Sequence, residues 1–322
     1  MKLFTRIILW IILILLFGTS SILLYLKHFL PGVGSAPEIK VEITPERIER
    51  GKYLAFHVAA CMDCHSTRDW SKYSGPLVQG TLGKGGEVFD RKFGFPGKFT
   101  SKNITPFHLK DWTDGEIYRA ITAGVNKNGM SLFPVMPYQY YGKMDDEDIK
   151  SIIAYIRTLP AIDYEPEESE ADFPINFIMN TMPAKGQPNA LPSKADTLAY
   201  GSYLTNAAGC LECHTQQDKG QKLDGMDFAG GFEFQLPTGI VRSPNITPAK
   251  SGLANWTKAA FISRFKAYEN AINLPLPPNG MNTVMPWTMY AGMTEEDLGA
   301  IYTFLQTVNP VENTVVKFTP AK

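Results

Sequence analysis

The chain is poor in the side chains that most often build a framework or a metal cluster. Its 322 residues include only 4 cysteines and 5 histidines. Four cysteines are too few to staple a chain of this length as a disulfide scaffold. An excess of one charge is also missing, since 31 Lys plus Arg face 32 Asp plus Glu for a net charge of −1. No basic domain hides in that balance, which argues against nucleic acid as a partner. Runs of alternating apolar and polar residues, the mark of half-buried strands, do not separate the helical segments. Aromatics, in contrast, are plentiful: 14 Tyr, 19 Phe and 5 Trp, with 44% hydrophobic residues overall, exclude simple disorder. The length suits one large or two medium domains, each with its own core.

A long uncharged run stands at the N-terminus. After Lys2 and Arg6, no charge occurs from Ile7 to Leu26, enough for a helix of about 30 Å and a bilayer crossing. The basic residues before it favour keeping that end in the cytoplasm, with Lys27 and His28 on the far side weakening but not cancelling the bias. Gly18-Thr19-Ser20-Ser21 also fits the small-residue region of a cleaved signal. The apolar stretch resumes after it as Ile22–Leu26, which is long for a signal and favours a retained anchor. Residues 1–30 are therefore read as a transmembrane anchor and 31–43, with Pro31, Gly32, Gly34 and Pro37, as the linker leaving the membrane.

Beyond that point the chain is one unit written twice. Cys61-Met62-Asp63-Cys64-His65 returns as Cys210-Leu211-Glu212-Cys213-His214, and Met136-Pro137-Tyr138 as Met285-Pro286-Trp287, each 149 positions later. Between them Asn103-Ile104-Thr105-Pro106 matches Asn245-Ile246-Thr247-Pro248, and Trp112-Thr113 matches Trp256-Thr257. Four motif kinds in one order mark an internal repeat. Each unit opens with a helix running into its first cysteine. Thr44 with Pro45 starts one of these helices, and Ser193 with Asp196 forms a capping-box pattern for the other. Each closes with an amphipathic helix, Asp145 to Leu159 and Thr294 to Val308. The units are 44–160 and 192–322. They are joined by 161–191, an acidic and then apolar stretch read as a strap that lies on the domains and fixes their relative position.

Cys-x-x-Cys-His is the attachment signature of c-type haem. Two thiols on one turn each form a thioether to a porphyrin vinyl group, and the adjacent histidine lies under the iron. A redox dithiol and a zinc site are the rival readings. The motif, however, occurs twice at equivalent repeat positions and uses every cysteine, and zinc would lack a ligand in each unit. The expected cofactors are thus two covalently attached haem c groups on Cys61, Cys64, Cys210 and Cys213, with His65 and His214 as proximal iron ligands. Of the remaining histidines, His28 lies beside the membrane, and neither His57 nor His108 recurs as histidine in the second unit. A paired sixth ligand is then methionine. Met136 and Met285 sit in irregular Pro-bearing loops and are the expected pair, with Met130 and Met281 as alternatives. Met144 and Met293 have the spacing of hydrophobic staples instead. Ligation on both faces points to electron transfer and away from chemistry at the iron. Tyr53, Tyr203, Trp112 and Trp256 recur too, as candidates for porphyrin packing or for ordinary core service.

With these residues in hand, the pattern of Asn-Ile-Thr-Pro, Trp-Thr, Met-Pro-aromatic and closing helix resembles the multihaem cytochrome c subunits of membrane-bound alcohol, aldehyde and gluconate dehydrogenases. The resemblance covers most of residues 45–310. The resemblance fits the two tandem class I-like cytochrome c domains of an all-α chain but not the one N-terminal transmembrane helix ahead of them, since membrane attachment in that family is not typically a strong N-terminal anchor. It also implies a non-enzymatic subunit that takes electrons from a membrane-bound oxidoreductase. That subunit usually has three haem domains, and two are counted here. The anchor with two haems also resembles the dihaem subunit of cbb3-type oxidases. A terminal oxidase, another respiratory or photosynthetic complex, or a soluble cytochrome or cupredoxin therefore stand as further partners. A dihaem peroxidase is the enzymatic alternative, with His57 or His108 as its base. The expected location is the bacterial inner membrane, with both haem domains in the periplasm.

Overall fold

The computed structural model describes residues 2–270 and 274–321. Helix α1 (Lys2–His28) has 27 residues, about 40 Å of length. It is long and apolar enough to cross a bilayer, and none of its apolar window is buried against the rest of the chain. The following segment has no helix or strand up to Thr44 and lies on the first domain. There the Val41 amide donates to the Asp114 carboxylate at 2.8 Å.

In the first domain, α2 (Pro45–Tyr53) starts at Thr44, whose hydroxyl accepts the Arg47 amide, with Pro45 in the first turn. It widens into a π turn over Leu54–Val58. The left-handed Ala60, at φ +48°, separates it from α3 (Cys61–Cys64). A hairpin of β1 (Val88–Asp90) and β2 (Gly97–Thr100) follows. Next come α4 (Pro106–Leu109), α5 (Asp114–Ala123), α6 (Tyr138–Tyr141) and α7 (Asp146–Arg157). The joining segment contributes β3 (Glu170–Ala171) and α8 (Ile175–Ile178).

The second domain repeats the order. Helices α9 (Thr197–Ala207) and α10 (Cys210–Cys213) precede the small pair β4 (Gln217–Asp218) and β5 (Gln221–Lys222). The hairpin β6 (Glu233–Leu236) and β7 (Gly239–Arg242) leads to α11 (Lys258–Lys266), α12 (Trp287–Tyr290) and α13 (Glu295–Leu305). Strand β8 (Phe318–Pro320) ends the fold.

The opening and closing helices of each domain cross at a glycine. A Cβ on Gly51 would stand 1.8 Å from the Ser151 carbonyl oxygen, and one on Gly201 would stand 2.0 Å from that of Ala300. Only a bare Cα permits backbones so close. Around the crossings the core buries Leu54, Ile149, Ile153, Leu204, Leu298 and Leu305. Met144 and Met293 are also fully buried there, each one residue ahead of the helix cap, Asp145 or Thr294.

Two details differ from the sequence reading. Asp196, not Ser193, caps α9 by accepting the Ala199 amide at 3.0 Å. The Ser193 hydroxyl instead accepts the Ala195 amide within the preceding turn. The fold is predominantly helical but carries two three-stranded antiparallel sheets, β1-β2-β3 and β6-β7-β8. Their third strands come from the joining segment and the C-terminal tail. Runs of two and three residues are too short for a period of two to show.

The two domains meet through a reciprocal set of contacts. The Tyr53 hydroxyl donates to Asp297 at 2.5 Å and accepts the Thr294 amide at 3.1 Å. Its repeat partner Tyr203 donates to Asp148 at 2.7 Å and accepts the Asp145 amide at 3.1 Å. His57 Nδ1 donates to the Met289 carbonyl at 2.8 Å, and its positional counterpart Asn206 donates to the Tyr140 carbonyl at 2.9 Å. The opening helix of each domain thus rests on the approach to the closing helix of the other.

Along the joining segment, Glu165 meets His108 at 3.3 Å and Glu168 meets Lys102 at 2.8 Å, while Glu167 pairs with Lys98 and Asp172 with Arg91. Exposed pairs of this kind contribute little singly. Further on, the Asn180 amide donates to the Leu26 carbonyl at the end of α1 (3.1 Å), and the Leu191 amide donates to Asp145 at 3.0 Å.

Candidate haem sites

Each cysteine pair occupies a single helical turn, α3 or α10, entered through a left-handed residue. That residue is Ala60 (φ +48°) in the first domain and Gly209 (φ +62°) in the second. The histidine follows immediately: its amide closes the turn on the carbonyl of the first cysteine, at 3.0 Å in both domains. Both imidazoles are then fixed from one side. His65 Nδ1 donates to the Lys102 carbonyl at 2.7 Å, and His214 Nδ1 donates to the Pro244 carbonyl at 2.8 Å. An N–H given to a carbonyl fixes the tautomer and leaves the Nε2 lone pair as the free coordinating atom. Burial pushes both imidazole pKa values down, although the carbonyl bond opposes it, so each ring is held neutral.

Lys102 and Pro244 each precede the Asn-Ile-Thr-Pro repeat, which explains that motif. Asn103 Oδ1 accepts the Thr105 amide at 2.9 Å and hydroxyl at 2.7 Å, while its Nδ2 donates to the carbonyls of Ile162 (2.9 Å) and Tyr164 (2.8 Å). Asn245 binds Thr247 in the same way and reaches the Val311 carbonyl at 2.8 Å. All four Asn and Thr side chains are buried. The motif therefore clamps the histidine-holding loop to the chain that follows the closing helix. The Trp-Thr pair marks a helix start: Thr113 forms a capping box with Glu116, and Thr257 caps α11. The sequence shows both motifs as repeats, but a carbonyl acceptor has no residue signature, and these two were missed.

Burial raises the thiol pKa of Cys61 and Cys210 to about 12. A redox dithiol needs the opposite shift. In the methionine loops, the Tyr138 amide donates to the Met136 carbonyl and the Trp287 amide to the Met285 carbonyl, both at 2.8 Å. Met136 and Met285 are half-buried, whereas Met130 is 57% exposed. The Tyr138 hydroxyl is buried without a partner among the described residues, the kind of orphan that a bound group satisfies. The cysteine turns, the one-sided imidazoles and these loops fit two c-type haems.

The recurring tyrosines turn out to serve the domain interface through Asp297 and Asp148. Trp256 is 39% exposed, and Trp112 packs against the core while its carbonyl accepts Arg157. His57 Nδ1 donates to the Met289 carbonyl at the domain interface, and His108 faces Glu165 in the joining segment.

The repeat is a family feature. The cytochrome c family model matches residues 48–160 and again 198–309, and the chain belongs to that family of electron carriers as a two-domain member. It is similar to the cytochrome c subunit of a quinone-dependent alcohol dehydrogenase from Gluconacetobacter polyoxogenes, 26% identical over 82% of this chain and 56% of the relative. It is also similar to the fructose dehydrogenase cytochrome subunit of Gluconobacter japonicus, 28% identical over 81% of this chain and 52% of the relative. A diheme cytochrome c-type protein of Cereibacter sphaeroides is 28% identical over 72% of this chain and 77% of its own length. The chain thus spans just over half the length of the dehydrogenase subunits that it matches.

Proposed function

We propose that the protein is a membrane-anchored dihaem cytochrome c that relays electrons between a membrane-associated donor and an acceptor. The observation that carries this is the paired imidazole geometry, His65 on Lys102 and His214 on Pro244, with Nε2 left to coordinate. Cys61 and Cys64 hold one haem and Cys210 and Cys213 the other. Met136 and Met285 complete the iron coordination of the first and second domains. The haems supply one-electron chemistry when bound, and methionine raises their reduction potentials relative to two histidines. The chain's own residues orient the ligands, keep the imidazoles neutral and hold the domains in one arrangement through Tyr53 and Tyr203.

The anchor keeps the domains on the periplasmic face of a bacterial inner membrane, in line with the basic residues ahead of the span. The dehydrogenase cytochrome subunits among the relatives support a membrane-bound dehydrogenase as donor. The two-domain architecture and the good coverage of the diheme relative also fit a relay in another respiratory or photosynthetic complex.

Replacing Met136 or Met285 by Ala tests the ligands. Each change should open one reduced haem to carbon monoxide while the haem stays attached. An unchanged spectrum in both variants refutes the assignment. Purification from native membranes in mild detergent, with mass identification of the companions, tests the partner. A dehydrogenase in the band supports that donor, and an oxidase or photosynthetic core replaces it.

A further inference from the structure

Tethering of the second domain's methionine loop by the first domain is a feature with no counterpart in the other direction among the described hydrogen bonds. The loop that follows His65 crosses the interface and ends at Ser74, which is fully buried. The Ser74 hydroxyl donates to the Met285 carbonyl at 2.7 Å and accepts the Trp287 amide at 3.1 Å. The Ser74 amide donates to Asn282 Oδ1 at 2.9 Å, and Asn282 Nδ2 reaches back to the carbonyls of Trp70 and Lys72, both at 3.3 Å. The crossing is therefore bonded on both sides of Met285.

Backbone geometry underlines what the hydroxyl is for. Ser74 has φ +64°, a left-handed conformation that glycine adopts without cost and other residues adopt at roughly 1 kcal/mol. A buried serine kept there brings one thing that glycine lacks, its Oγ. The loop is rigid behind it. Arg68 donates to the carbonyls of Ser74 (2.8 Å) and Gly75 (2.9 Å), and its third nitrogen pairs with Asp63, inside the first cysteine motif, at 2.8 Å.

We infer that Ser74, seconded by Asn282, is a positioning residue for Met285, so that the first domain sets the distal ligation of the second haem. This rests on Met285 being an iron ligand. Both methionine amides are held locally, Met136 by the Phe133 carbonyl and Met285 by the Thr283 hydroxyl, and among the described hydrogen bonds only the Met285 loop is also bonded from the other domain, through Ser74. Loosening Ser74 should therefore affect one haem only.

The test uses the haem-loaded full chain in detergent, with S74G, N282A and M285A compared. S74G deletes the hydroxyl while relieving the left-handed conformation, so folding survives. Readouts are carbon monoxide binding to the reduced haems, the methionine–iron charge-transfer band of the oxidised haems, and the two midpoint potentials. With M285A opening one haem fully, S74G should raise the carbon monoxide binding rate at that same haem about tenfold, as loss of a buried hydrogen bond implies. It should also weaken the charge-transfer band, and N282A should act in the same direction. The other haem should keep its wild-type potential. If M285A opens a haem but S74G and N282A leave both haems unchanged, the positioning role is overturned and the ligand assignment stands. If S74G shifts both haems equally, general loosening replaces positioning. If M285A alters neither haem, the ligand assignment falls and this inference with it.

Discussion

The reciprocal tyrosine contacts give a quantitative test of how the two domains are held. Tyr203→Phe and Tyr53→Phe each keep the ring and delete one hydroxyl bonded to a buried carboxylate. The carboxylates differ in what remains. Asp148 keeps both bonds of Arg50, each 2.8 Å. Among the described residues, Asp297 keeps the Tyr200 hydroxyl at 3.1 Å and the Lys194 ammonium at 3.7 Å, and it is 1% exposed. A hydrogen bond to a charged group contributes about 1.5–3 kcal/mol. Tyr203→Phe should therefore cost about 1.5 kcal/mol, because the Arg50 pair still compensates the charge, and Tyr53→Phe about 3 kcal/mol. Urea unfolding of the haem-loaded protein followed by circular dichroism measures both. A greater cost for Tyr203→Phe than for Tyr53→Phe, or both within about 0.5 kcal/mol of wild type, the range of an ordinary surface change, would refute these interface roles.

Three further outcomes are expected. Burial lowers the His57 pKa below its ordinary value, so the unfolded chain binds the proton first, and stability falls as pH drops below the unfolded pKa of about 6.5. His57→Asn, which imports the residue at the equivalent position 206, should flatten the pH dependence of the unfolding midpoint in that window; an unaltered slope would assign it to other groups. Gly201→Ala forces a methyl to within 2.0 Å of the Ala300 carbonyl oxygen, and should cost at least about 3 kcal/mol by driving the helices apart; a thermal midpoint near wild type would disprove the close crossing. Asn245→Ala removes the clamp on Thr247 and Val311 and should cost about 3 kcal/mol, with faster exchange of the Thr247 amide; unchanged exchange there would count against the clamp.

Much of this was legible in the sequence because it is written in residue types at fixed spacing. The two cysteine motifs, the caps at Thr44, Asp145 and Thr294, and the staples at Met144 and Met293 all depend on neighbours within a turn or so. What was not legible depends on distant partners. Lys102 and Pro244 act through their carbonyls, which every residue possesses. Tyr53 and Tyr203 recur, but nothing local says that they reach across to carboxylates of the other domain, 244 and 55 residues away. Ser193 misled because two polar residues before α9 both fit a cap, and only the backbone path selects Asp196. Strands β3 and β8 are fixed by their neighbours β2 and β7 rather than by any pattern of their own.

The central claim is that two haems are covalently attached, one per domain. The mass of the denatured chain, isolated from a host with a c-type haem attachment system, tests it most directly. The expected mass is that of the polypeptide plus two haems, with loss of one haem when Cys210 and Cys213 are both changed to Ala. A bare polypeptide mass, or one haem on the unaltered chain, would contradict it.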